Sequence, residues 1–221
     1  MGNLFEPKES VFLKGRHGHS FPCNHQASFK KDNIYTKPSW HYNGGSAAIV
    51  MPGWRASFGK NMENTLCNIH DVCDYIIVKL DEGGELLNHL KLQKLLYYTQ
   101  AWHLAFEGTP LFKGKFQAWV HGPVSREIYD RFKDSKSLYA AVTRDDVRKE
   151  FDLDSLNHEA QLHIDEVLDS YAAFSGSELE SMTHEEKPWI VARDGYKSAD
   201  RCEVSIDESV MADFYRSRLK N

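Results

Sequence analysis

The fold of this chain follows from one stretch, NHLKLQKLLYYTQAWHLAFE, which runs from Asn88 to Glu107. Drawn as a helix, this stretch is apolar on nearly every side, because its polar stripe is narrow and is crowded by Tyr97. Gly108 and Pro110 follow as stop signals. A helix that is apolar nearly all round must be buried, so the stretch predicts the central helix of a bundle.

The residues before and after this helix predict its neighbours. Apolar residues recur at helical spacing from Ile69 to Leu80, with Asn68 as the predicted N-cap and Gly83-Gly84 as the end of the helix. The alternating stretch 116–120 predicts a short strand. Pro123 is expected in the first turn of a third helix, where its missing N–H costs nothing.

The second half of the chain predicts further helices. A fourth helix is expected over about residues 155–174, and Ser177 with Glu180 reads as a capping box that opens a short fifth helix. A short turn is expected at Pro188, and a last helix over about 207–219 with Asp207 as its cap. The predicted fold is therefore mainly α: a single helical bundle domain with a small β element.

The first 61 residues differ in composition from the rest. They hold 7 of the 14 glycines and 4 of the 7 prolines, and they carry 8 Lys/Arg against 3 Asp/Glu. Residues 62–221 carry 19 Lys/Arg against 29 Asp/Glu, a balance of −10. We therefore predict that residues 1–61 form an irregular extension, either disordered or mis-annotated with Met62 as the true start, and that residues 62–221 form the domain. N-terminal sequencing of the native protein distinguishes the two.

The charge of the domain indicates the kind of partner. An acidic domain repels phosphates, so binding of nucleic acid by the main domain is disfavoured and a basic protein is favoured. A DNA-binding autorepressor stays open as an alternative, because the basic N-terminal residues could supply contacts to DNA.

The sequence has no apolar run near the ~18 residues of a membrane span, and residues 1–20 contain no signal-peptide core. We therefore expect a cytoplasmic protein. The four cysteines are widely spaced, which suits reduced thiols.

Candidate catalytic and metal sites are few. The patterns H-E-x-x-H, G-x-S-x-G and the Gly-rich phosphate loops do not occur. His103 is expected to be a hydrogen-bonded core residue, and the pair Glu185-Glu186 to be solvated surface. The cluster His17, His19, Cys23 and His25 matches no zinc-finger spacing. We therefore expect no enzyme, no cofactor and no metal, with a hydrolase built on His184 and Glu185 as a weaker alternative.

Three blocks in this order resemble the Panacea domain family, which includes SocA-type antitoxins and phage-associated relatives. They are LKLQKLLYYTQAWHLA (90–105), AWVHGPV (118–124) and LESMTHEEKPW (179–189). The resemblance spans about residues 69–219. It implies a bacterial or prophage antitoxin of a type II toxin–antitoxin system, without catalytic residues, which binds a protein toxin encoded by an adjacent gene. SocA-type members act as proteolytic adaptors, so the resemblance also implies delivery of the toxin to a ClpXP-type protease.

The polar and aromatic residues of the three blocks are the predicted partner-binding positions. Trp189 has two interpretations, a structural clasp or part of a binding surface, because a loop tryptophan packs on the domain and its N–H needs a partner. We expect Gly122, Pro123 and Pro188 to be structural. The predicted binding residues are Gln93, Lys94, Tyr98, Trp102, His121, His184 and Trp189.

Overall fold

The computed structural model describes residues 66–220, together with every side chain in that range except that of Lys220. These residues belong to one compact unit of the chain. They form seven α-helices and one two-stranded sheet, which confirms the mainly α fold. The predicted extension over residues 1–61 and the tail cluster His17, His19, Cys23 and His25 lie outside the described residues, as does the predicted boundary at Met62.

Two asparagine caps start the first two helices. Helix α1 spans Ile69–Glu82, and the Asn68 side chain accepts a hydrogen bond from the backbone N–H of His70. Helix α2 spans His89–Glu107 and ends at Gly108, whose φ of 72° is easy for a residue without a Cβ. Its own cap, Asn88, accepts from the backbone N–H of Lys91 at 2.8 Å. The predicted bounds of both helices are confirmed.

Helix α2 is buried along its whole length from His89 to Ala105. The other helices and the sheet pack around it, as the all-round apolar pattern predicts. Within residues 66–220, no helix is long and apolar enough to cross a membrane.

Strand β1 (Phe116–Trp119) pairs antiparallel with β2 (Gly122–Ser125) across the two-residue turn Val120-His121. The prediction that Pro123 opens a helix is wrong, because Pro123 lies in β2 opposite Ala118. Alternate residues of an antiparallel strand point their backbone groups away from the partner strand. The backbone N–H of Ala118 bonds outward to Val204, so Pro123 opposite it also faces outward and its missing N–H removes no ladder bond.

The remaining helices follow the hairpin, and some predicted boundaries shift. The structure gives α3 as Arg126–Phe132, α4 as His158–Tyr171, α5 as Gly176–His184, α6 as Lys187–Ala192 and α7 as Glu208–Ser217. Ser125 caps α3, and Asp207 caps α7 as predicted. The predicted fourth helix was too long, because Asn157 caps α4 and the residues before it form a short 3-10 turn. The predicted capping box was misplaced by two residues, since Ser175 and Glu178 form it.

Candidate functional site

Gly122, at the start of β2, lies in contact with α2 and α5. Its φ of 86° favours glycine, and a Cβ added there would stand 2.9 Å from Lys94 Cε and 2.7 Å from Thr183 Oγ1. No side chain fits between the hairpin and the two helices. The structural role predicted for Gly122 therefore has a physical basis in this close approach.

Lys94 lies directly beneath the hairpin turn. Its side chain is fully buried, and its Nζ donates to the Pro123 carbonyl oxygen at 3.1 Å. Burial lowers the pKa of Lys94 to about 7, an effect that the charge of Glu180 partly offsets. This hydrogen bond ties the hairpin to α2 through a buried titratable group.

A second contact holds the end of β2 on α2. The backbone N–H of Ser125 donates to Gln93 Oε1 at 2.9 Å. Gln93 is fully buried, so this bond satisfies polar groups that water cannot reach. The first and second sequence blocks are thus joined by the side chains of consecutive α2 residues, Gln93 and Lys94.

Helices α5 and α6 close the other side of the hairpin. His121 in the turn pairs through Nδ1 with Glu180 Oε1 at 3.0 Å. The Trp189 indole N–H donates to the Trp119 carbonyl oxygen at 3.0 Å, and its ring stacks on His184 at 4.2 Å. Partial burial lowers the pKa of His184, an effect that the charge of Glu180 partly offsets.

Pro188 and Arg193 complete the attachment of α6. Pro188 is buried in the first turn of the helix, where its missing N–H is tolerated, as its predicted structural role requires. The buried Arg193 guanidinium donates from Nη1 to the Ala118 carbonyl oxygen at 2.9 Å. We call the contact of Lys94, Gly122, Thr183, His184 and Trp189 the hairpin junction.

The aromatic residues Tyr98 and Trp102 lie deeper, around a buried carboxyl group. Glu186 Oε2 accepts from Tyr215 at 2.5 Å, and the Tyr98 hydroxyl lies 3.5 Å from Oε1. Tyr98 stacks on Tyr171 at 4.0 Å, and the Trp102 indole N–H donates to the Tyr171 hydroxyl at 2.9 Å. Glu186 is only 4% exposed, so the prediction of solvated surface is wrong for it, whereas Glu185 is exposed. Burial raises the pKa of Glu186 to about 7.

The structure divides the predicted partner-binding residues by depth. His121 is exposed, and His184 and Trp189 are half-buried. Gln93, Lys94, Tyr98 and Trp102 are fully buried, and a partner on this surface would meet the layer above them. Partner binding by these seven residues stays a prediction.

Other predictions concern His103, the cysteines and metal binding. His103 is 9% exposed and bonds through Nδ1 to the Thr109 carbonyl oxygen at 2.7 Å, which confirms a hydrogen-bonded core histidine. Cys67, Cys73 and Cys202 are free thiols. Across residues 66–220, no group of His, Cys, Asp and Glu side chains is arranged to hold a metal ion.

The sequence analysis did not identify several exposed apolar residues as candidates. Leu86, between α1 and α2, is 91% exposed, and Ile190 and Val191 beside Trp189 are each about half exposed. Leu86 directly follows Glu85 and precedes the Asn88 cap. The sequence could have indicated Leu86 as a binding candidate, because a large apolar residue in a polar loop before a helix cap is unusual.

These features define a class: a mainly α domain in which one buried helix carries a β-hairpin fixed by a buried lysine and a close-packed glycine. The family model for "Antitoxin SocA-like, Panacea domain" matches residues 92–190. The chain is also 30% identical over 146 residues to Antitoxin SocA of Caulobacter vibrioides (strain NA1000 / CB15N), a match that covers 62% of this chain and 78% of that protein. The chain belongs to the SocA-like Panacea domain family, as the three blocks predicted. No solved structure matches it.

Proposed function

We propose that this protein is the antitoxin of a type II toxin–antitoxin system and neutralises a protein toxin by direct binding in the cytoplasm. The observation that carries the proposal is the similarity to Antitoxin SocA over 78% of that protein's length. The family model matches residues 92–190, a range that includes the whole hairpin junction, so the family similarity extends to the residues that hold the hairpin on α2. The proposed activity is binding, and we propose no catalytic step.

The balance of −10 over residues 62–221 supports a basic toxin as the partner. Opposite net charges speed the encounter of two proteins and disfavour partners of the same sign. The same balance opposes the autorepressor alternative, since DNA would be repelled by the main domain.

Co-expression tests the proposal. The protein encoded by the adjacent gene is produced alone, with this protein, and with a frameshifted copy of this gene as the control. We expect growth arrest in the first and third cultures, recovery in the second, and a complex that survives purification. A harmless neighbour, or the absence of a complex, contradicts the antitoxin function.

We propose further that binding delivers the toxin to a ClpXP-type protease, as the family resemblance implies. In cells, the toxin's half-life should then shorten when this protein is present and should recover when the protease is deleted. A longer toxin half-life in the presence of this protein contradicts delivery and leaves neutralisation by inhibition.

A further inference from the structure

Helix α4 presents one exposed stripe to solvent. Its members lie at helical spacing: Leu162, Glu166, Asp169 and Ala173, the last just beyond the helix. The residues at the two ends are apolar, and the two between them are acidic. Leu162 is 45% exposed. The stripe is therefore a mixed apolar and acidic surface whose charge complements a basic partner.

Negative charge accumulates around this stripe. The carboxylate of Asp165 already has partners, because it pairs with Lys79 at 3.2 Å and accepts from the Tyr75 hydroxyl at 3.0 Å. Glu166 and Asp169 have no ion pair among the described residues. Partial loss of hydration, followed by the neighbouring carboxylates, raises the pKa of both side chains. Like charges that repel one another on the free surface are stabilised when a cation approaches.

Leu86 lies beside the end of this stripe. The buried Lys91 Nζ donates to the Leu86 carbonyl oxygen at 3.1 Å and to the Ala172 carbonyl oxygen at 2.6 Å, which joins the α1–α2 loop to the end of α4. A single exposed leucine is common on protein surfaces. Leu86 differs because its backbone is fixed by a buried charge beside an acidic surface.

The loop that carries Leu86 is held on both sides. The backbone N–H of Glu85 bonds to the Leu80 carbonyl oxygen at 2.9 Å, and the N–H of Val142 bonds to the Leu87 carbonyl oxygen at 2.9 Å. A side chain presented from a fixed backbone loses little conformational entropy when it enters a partner's pocket. Leu86 therefore has the properties of a preorganised anchor.

We propose that Leu86, Glu85 and the α4 stripe Leu162, Glu166, Asp169 and Ala173, together the acidic face, form the docking surface for the toxin. This rests on the proposed function. The partner's complementary surface is an apolar hollow that receives Leu86, with lysine or arginine side chains opposite Glu166 and Asp169. The nearby cations are already engaged: Lys79 pairs with Asp165, Arg144 pairs with Asp81 and Glu82, and Lys91 bonds to backbone carbonyls. Glu166 and Asp169 therefore remain for the cations of a partner.

The test measures the affinity of the purified full-length protein for the product of the adjacent gene. Leu86→Ser should weaken binding about 10- to 50-fold, since a fully buried leucine contributes roughly that factor. Leu153→Ser is the matched control, because Leu153 is also an exposed leucine but lies before α4, outside the acidic face. Circular dichroism checks that each variant is folded.

The charge component has its own pair of variants. Glu166→Lys with Asp169→Lys should weaken binding about 10- to 100-fold at low salt, mainly through a slower association rate, and should remove most of the salt dependence. Asp134→Lys with Glu150→Lys makes the same change in net charge at exposed positions outside the face and should retain the wild-type salt dependence.

The outcomes separate the two proposals. Loss of affinity in the face variants, with the controls binding normally, supports the acidic face. Wild-type affinity in both face variants, equal losses in face and control variants, or a loss confined to Ile190→Ser beside the hairpin junction overturns it and leaves the antitoxin function standing. If the wild-type protein binds no neighbour-encoded protein, the antitoxin function itself has failed.

Discussion

The hairpin junction and the acidic face use charged residues in opposite ways. In the junction, Lys94 is fully buried and donates to one backbone carbonyl. On the acidic face, Glu166 and Asp169 are exposed and repel each other. A buried charge constrains the protein that contains it, whereas an exposed and unmatched charge is available to a partner. Buried residues of the three blocks, such as Lys94, are therefore held within the fold and lie out of a partner's reach.

The matched family range bears on this difference. It covers residues 92–190 and therefore includes all of the hairpin junction and the α4 stripe, while Glu85 and Leu86 lie outside it. We infer that the junction fixes the shape of the domain, whereas Leu86 and the exposed carboxylates of α4 are available to a partner. Substitutions in the junction should therefore change the stability of the domain more than substitutions on the acidic face.

Gly122→Ala should be the most damaging change. The new Cβ would clash with Thr183 and Lys94 at a positive φ, and we expect the free energy of unfolding to fall by about 2–4 kcal/mol. Gly84→Ala is the control, because Gly84 has a φ of 69° with open space around it, and it should cost only about 1 kcal/mol. Urea denaturation measures both. Equal losses would show that backbone strain alone acts at Gly122.

Lys94→Met should stabilise the protein in a pH-dependent way. The pKa of Lys94 is 10.5 ordinarily and about 7 in the fold, so the unfolded chain binds more protons between these values. Stability from this group is therefore present above about pH 10.5 and is lost as the pH falls through about 7. At pH 6 the variant should be more stable than the wild type by on the order of 2–3 kcal/mol, and the difference should shrink by pH 10.

Thermal or urea unfolding across this pH range checks the prediction. Lys133→Met is the control, since Lys133 is exposed and pairs with Asp130 on the surface, so its effect should be small. A Lys94→Met variant that is destabilised equally at every pH would show that the bond to Pro123 outweighs the burial of the ammonium group.

Tyr215→Phe should cost about 1–3 kcal/mol, because it removes the hydrogen-bond donor to the buried Glu186. The cost should be larger at pH 8 than at pH 5, since Glu186 ionises near pH 7 and the carboxylate needs the donor more than the acid does. Unfolding at the two pH values measures the difference. A pH-independent cost would mean that Glu186 stays protonated throughout.

Glu166→Lys with Asp169→Lys should leave stability within about 0.5 kcal/mol of the wild type, because surface changes outside packed features have small effects. The same variant is expected to lose affinity for the toxin. A large loss of stability would instead assign Glu166 and Asp169 a structural role and break the division between the two regions.

The sequence predicted the helices well where local signals were strong. Asn68 and Asp207 act as caps as expected, and α2 is buried as its apolar pattern indicates. The sequence predicted strand β1 but not strand β2, because Gly122-Pro123 has the local pattern of a helix start. Pro123 is tolerated in β2 only because its backbone faces Lys94 rather than β1, and that contact joins residues 29 positions apart.

The site was less predictable than the fold. The three sequence blocks do meet in the structure, but the sequence did not show which of their residues are buried and which are exposed. Glu186 looked like surface beside Glu185, because its partners Tyr98 and Tyr215 are 88 and 29 residues away. Leu86 gave no periodic signal, since it lies in a loop whose position is set by Lys91.

The bond between Glu186 and Tyr215 has a consequence for synthesis of the chain. Helix α7 covers α2 and supplies the donor to Glu186, yet it lies at residues 208–217, after α1 to α6. A nascent chain that has not reached Tyr215 leaves an apolar side of α2 and the Glu186 carboxyl uncovered. Arrest of translation before Tyr215 would therefore yield an unfinished, protease-sensitive domain, so the cell's supply of working protein depends on ribosomes that pass α7.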